Sequence, residues 1–217
     1  MTRVCIYCGS EADTQDHVPP KCFFPNPKPS DLITVPSCAA CNTRFGKFDE
    51  IVRNLFVSLH ETEGHRSITA QLGDKRDRSL ERLEGGGVRQ SLLDSLRVGE
   101  AFSPSGILLG REPVLNLNQH AVDVFIERMT KALIYHRHGA TCFSGRVRWR
   151  LAPQDDDVQS MPLPLQSLLS EIERVSVGDV FSFGGIFESC DDVSLWFMFF
   201  YRGLGVMSLW EPNRNDG

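Results

Sequence analysis

Residues 5–42 read CIYCGSEADTQDHVPPKCFFPNPKPSDLITVPSCAACN. Two C-x-x-C pairs, Cys5/Cys8 and Cys38/Cys41, bracket the dipeptide Asp16-His17, and Asn42 follows the last cysteine directly. The C-x-x-C spacing lets two thiolates reach one tetrahedral ion, and two such pairs complete a closed structural zinc site. Prolines 19, 20, 25, 27, 29 and 36 fall in this stretch. With so little apolar content of its own, the stretch draws folding free energy from the metal. Pro25 to Pro29 is excluded from helix, because proline fixes φ and lacks an N–H. Leu32 to Val35 is β-branched and apolar, a short strand leading into the second cysteine pair.

Between the cysteine pairs lies material for hydrolysis. An imidazole titrates near neutrality and accepts a proton from water. A carboxylate is a hard ligand suited to Mg²⁺ or Mn²⁺. Neighbours on a strand point to opposite faces, so only a kinked or bulged chain lets Asp16 and His17 serve one site. The alternatives for His17 are an ordinary surface histidine or a zinc ligand in place of one cysteine.

Cys5-x-x-Cys8, Asp16-His17-Val18-Pro19-Pro20 and Cys38-x-x-Cys41-Asn42, in that order, resemble the HNH endonucleases, a group of ββα-metal (His-Me finger) nucleases. The resemblance covers residues 5 to about 50. It implies that His17 is the general base, that Asp16 and Asn42 hold one catalytic divalent cation (Mg²⁺ or Mn²⁺), and that the zinc is structural. The chain departs from the pattern at Asp31, which stands near the family's central Asn. Asp accepts hydrogen bonds but cannot donate them, so it fills only part of that role, binds metal, or caps a turn. Asp49 and Glu50 are further candidates for supporting the cation, or else acids in the first turn of a helix. Lys21, Arg44 and Lys47 are candidate phosphate contacts, or ordinary surface charge.

Outward from this module, Ile51, Val52, Leu55, Phe56 and Leu59 recur at the helical period and predict a helix from Phe48 to Gly64. Asp74 to Glu84 predicts a solvated helix and Val88 to Arg97 another, joined at Gly85-Gly86-Gly87. Asn118 is a candidate N-cap for a helix ending at Gly139, with Val122, Phe125, Ile126, Met129 and Leu133 on its apolar face. Arg146 to Leu151 alternates strictly and predicts a strand whose Arg146, Arg148 and Arg150 share one face. A short helix is expected at Leu165 to Arg174. Strands are expected at 179–183, 186–189, 195–201 and 206–210, forming an antiparallel sheet on the 118–138 helix. The fold class is therefore α+β. Residues 1–64 form the zinc module, 65–113 a helical connector, and 114–217 an α+β domain for substrate recognition or oligomerisation.

Charge and composition bound the function. The 217 residues carry a net charge of −5 and 41% hydrophobic residues, the profile of an ordinary globular chain. Nucleic-acid binding by such a chain needs a local basic surface, an oligomer or a partner. Arg146, Arg148 and Arg150, with Arg128, Lys131 and Arg137 nearby, supply a basic stripe, unless Asp155 to Asp157 neutralise it. The longest apolar run, Leu195 to Tyr201, is too short for a bilayer, and the opening residues MTRVCIYCGS contain no secretory h-region. A cytoplasmic protein is expected, with Cys22, Cys142 and Cys190 as packing residues or idle thiols. The function expected is hydrolysis of nucleic-acid phosphodiester bonds, DNA before RNA, in a setting such as phage defence. The rival is a non-catalytic zinc module that binds nucleic acid or protein through a degenerate site.

Overall fold

The computed structural model describes residues 3–59, 62, 64–81, 96–102, 107–115, 118–152 and 163–213. β1 (Thr14–Val18) pairs antiparallel with β2 (Ile33–Ser37), in an unbroken register from Thr14↔Ser37 to Val18↔Ile33. Asp16 and Val18 on β1, with Val35 and Ile33 opposite, are buried, while Gln15 and Thr34 stay exposed. α1 (Ala39–Val57) follows at once. It starts at Ala39 rather than Phe48 because its first turn is held by caps instead of apolar contacts. The Cys38 sulfur accepts from the Cys41 N–H, and Asp13 accepts from the Ala39 N–H at 2.7 Å. Periodicity cannot see a first turn of that kind.

A π-helical turn at Ile68–Leu72 runs into α2 (Gly73–Glu81). β3 (Leu96–Phe102) and β4 (Leu108–Leu115) then form an antiparallel hairpin. The expected helical connector thus contains strands as well. Arg97, placed at the end of an expected helix, lies in β3 instead, within Leu96-Arg97-Val98, where β-branching and partner pairing outweigh helical spacing. The triple glycine lies outside the described residues.

α3 (Gln119–His138) matches the expected helix closely. Asn118 Oδ1 accepts from the Ala121 N–H at 3.1 Å, and Gly139 ends the helix at φ +67. The C-terminal segment forms β5 (Gly145–Leu151), α4 (Leu163–Glu171), β6 (Val175–Val177), β7 (Phe181–Ile186), β8 (Ser194–Phe200) and β9 (Leu204–Pro212). The sheet order is β5-β9-β8-β7-β6, antiparallel throughout. Trp196, Met198 and Phe200 of β8 lie beside Ser208, Val206 and Leu204 of β9 on the buried face. Thr130 of α3 meets Ser208 at 2.8 Å, fastening helix to sheet.

Gly184 and Gly185, which read as separators between strands, are interior to β7. A Cβ at Gly185 would sit 2.6 Å from the Trp196 ring, and one at Gly184 2.6 Å from Ile172. They admit neighbouring side chains onto the backbone and do not interrupt the strand.

One apolar core runs through front and back. Phe23 stacks on Phe125 of α3 at 5.1 Å, and Phe56 of α1 meets Phe200 of β8 at 5.0 Å. Tyr201 Oη donates to the Phe23 carbonyl at 2.9 Å. The 1–64 and 114–217 segments therefore share their interior. Cys142 and Cys190 form a disulfide, Cα atoms 5.4 Å apart, linking the loop after α3 to the loop before β8. This corrects the reading of these two as thiols, since the fold brings together loops 48 positions apart, each leading into a strand that flanks β9. Cys22 alone is a packing thiol, its pKa pushed up to about 11 by burial.

Candidate metal centre

The four sulfurs of Cys5, Cys8, Cys38 and Cys41 lie within 4.8 Å of one another. Cys8 and Cys38 Sγ are 3.7 Å apart, close to the roughly 3.8 Å edge of a tetrahedron with 2.3 Å zinc–sulfur bonds. Backbone bonds build the first knuckle: Cys5 N–H to Ser10 O at 2.7 Å and Gly9 N–H to Cys5 O at 3.0 Å, with Gly9 at φ +78. The Ile6 N–H donates to Pro36 O at 3.1 Å, tying this knuckle to β2. The second pair opens α1, with Cys38 as its N-cap. The donor set fits a zinc ion. All four candidate ligands are sulfur and both loops arrive pre-shaped, the donor set of a closed structural site.

Asp16 and His17 part at the strand. The regular β1–β2 register has no bulge, so Asp16 faces α1 and α3 while His17 stands on the other face opposite Thr34. The His17 ring is half-buried and has no hydrogen bond among the described residues. Burial first, then the charge of Lys21, lowers its pKa below the usual 6.5. It is therefore a neutral imidazole at pH 7 with an accepting nitrogen.

Asp16 is 2% exposed and enclosed by partners. Arg128 Nε donates to Oδ2 at 2.7 Å, Arg128 Nη2 donates to Oδ1, and Tyr7 Oη donates to Oδ2 at 2.7 Å. Arg128 Nη1 donates to Asp49 Oδ1 at 2.5 Å. Arg128 itself is 3% exposed, with its guanidinium 5.0 Å over the Phe45 ring. Asp49 is pushed up to about 6, by burial first and against the pull of Arg128. Arg128 in turn is held charged by both carboxylates despite its burial.

The Asp16–Asn42 pair does not fit a divalent cation in this arrangement. Three of about four acceptor positions on the Asp16 carboxylate are taken, and a fixed positive charge sits on it. Asn42 Nδ2 donates to the Gln15 carbonyl at 3.2 Å, so the amide is bound to the hairpin backbone. The remaining candidates spread out. Glu50 turns to α2, accepting from Ser79 Oγ at 2.5 Å and pairing with Arg53. Asp31 is exposed ahead of β2, and Lys21 and Lys47 are exposed. Arg44 lies over the Phe45 ring at 4.9 Å. Arg146 and Arg148 both pair with Glu211 of β9, not with residues 155–157, which lie outside the described residues. Arg150 is exposed on the same face.

Tyr7 and Arg128 are the residues that motif reading misses. Arg128 read as part of a solvated basic stripe, yet it lies in line with Ala121, Phe125 and Ala132 at spacings of three and four. A charge on an apolar helical stripe signals a buried ion pair.

No family model matches the chain, and no curated protein or solved structure is significantly similar to it. Among the described residues no helix is long and apolar enough to cross a membrane.

Proposed function

We propose that this chain is an HNH-type phosphodiester hydrolase acting on nucleic acid, DNA before RNA, with His17 taking the proton from the attacking water. The observation that carries this reading is the strand–strand–helix order of β1, β2 and α1 closed by the sulfur cluster, with a neutral, unbonded His17 ring on the open face of the hairpin. That order accords with the motif order Cys-x-x-Cys, Asp-His-x-x-Pro, Cys-x-x-Cys-Asn. Zinc holds the two loops at fixed separation. Lys21, near enough to His17 to lower its pKa, is a cation suited to the scissile phosphate, and Arg44 and Lys47 on the exposed side of α1 can neutralise flanking phosphates. A catalytic Mg²⁺ or Mn²⁺, which the resemblance implies, would when bound stabilise the negative charge on the phosphate.

A second reading, a non-catalytic zinc module that binds nucleic acid or protein, is favoured by the closure of Asp16 under Arg128. Cleavage assays decide between them. Labelled DNA and RNA are incubated with zinc-loaded chain and Mg²⁺ or Mn²⁺. His17→Ala is expected to lower cleavage by about 100-fold or more while zinc content and melting temperature persist. Absence of His17-dependent cleavage from the wild type and from a chain with Arg128 replaced overturns the hydrolase reading.

A further inference from the structure

We propose that Arg128 is the built-in counterion of Asp16 and Asp49, so that the chain binds zinc alone and these two carboxylates take no divalent cation while Arg128 is in place. The inference rests on the hydrolase reading, by which Asp16 is a cation ligand and Asp49 a candidate support. Its physical basis is the ion cluster itself. One guanidinium spans two carboxylates, one from β1 and one from α1, and Tyr7 from the zinc knuckle closes the side. Asp16 and Arg128 are almost wholly buried, so the pair has no bulk water to compete with it. A second cation cannot approach Asp16 without meeting the guanidinium. Two carboxylates against one guanidinium leave one negative charge, whereas a divalent ion in place of the guanidinium would balance both carboxylates.

Arg128 also borders open space. It lines a cavity of about 340 Å³ with Tyr7, Arg44, Phe45, His120 and Lys131, the last paired with Glu127 of the same lining. An anionic phosphate entering there competes with the two carboxylates for the same guanidinium. The plug is carried on a rigid element, since α3 is bonded to the sheet through Thr130 and Ser208 and to β5 through Asp123 and Trp149.

The test is a Mn²⁺ titration of the zinc-loaded full chain followed by electron paramagnetic resonance, without nucleic acid. Wild type is expected to show no Asp16-dependent Mn²⁺ site. Arg128→Met is expected to gain one, tighter by at least about 100-fold on removal of an adjacent unit charge, and Asp16→Asn in that background abolishes it. Arg128→Lys keeps the charge and stays empty. An Asp16-dependent site in the wild type overturns the proposal, as does a folded, zinc-loaded Arg128→Met chain without one. The wild-type titration keeps the proposal exposed even if Arg128→Met does not fold. Adding cleavage separates the two ideas. A Mn²⁺ site gained without cleavage leaves the plug standing and sinks the hydrolase reading. Asp16-dependent Mn²⁺ binding together with cleavage by the resting wild type does the reverse.

Discussion

His17 and Asp16 are adjacent in sequence, and their environments pull them apart. His17 has a folded pKa below its unfolded value, lowered by burial and then by Lys21. The folded chain therefore resists a proton that the unfolded chain accepts below about pH 6.5. This group's stability contribution is intact above that pH and is lost as pH falls toward the folded value. An NMR titration of the imidazole should find its midpoint below 6.5, and Lys21→Gln should move it upward. Cleavage should rise with pH through that same midpoint and level off above it. A midpoint above 6.5 would remove the proton-accepting role at neutral pH. Asp16→Ala tests the other face: it leaves the buried guanidinium with Asp49 alone, and chemical denaturation should record a loss of up to about 3–5 kcal/mol. The sulfur cluster was legible because thiolate spacing is itself a metal geometry. The fate of Asp16 was not, because its partner lies 112 positions away in sequence, and no local pattern announces such a pairing.

At the level of elements, α3 was readable nearly to the residue, since Asn118 and Gly139 are chemical end-marks and the apolar stripe between them is long. α1 was readable only in its second half, where Val52, Leu55 and Phe56 are buried. Its first turn depends on Asp13 and on the metal loop, which composition does not reveal. Cys38→Ser together with Cys41→Ser should therefore abolish zinc binding and fray this turn first. Hydrogen exchange should show protection lost at residues 39–45 before residues 52–57. The β8–β9 hairpin carries a cost of another kind. Tyr201 and Arg202 both have left-handed backbone, φ +52 and +60, at a turn closed by Gly203 N–H to Phe200 O at 3.2 Å. Arg202 is exposed, so Arg202→Gly should relieve strain and raise stability by about 0.5–1 kcal/mol in a thermal melt.

Across the whole molecule, one apolar core joins the zinc head to the sheet. Sequence reading divided the chain at composition changes, but aromatic rings do not respect those boundaries. Phe23, Phe56, Phe125 and Phe200 come from the β1–β2 connection, α1, α3 and β8 and meet in one cluster. Phe200→Ala should cost about 3–5 kcal/mol, and zinc release and sheet unfolding should then occur at the same lowered denaturant midpoint. Separate midpoints would argue for independent domains. Replacing Cys142 with Ser should cost about 2–4 kcal/mol, with no change in zinc content.

The shared aromatic cluster also limits how the protein can be dismantled. Severed after Gly64, the front piece would expose Phe23 and Phe56 and leave Asp16 and Asp49 facing each other with no counterion. A head grafted onto another tail would need that tail to bring its own arginine and its own phenylalanines to the same spots.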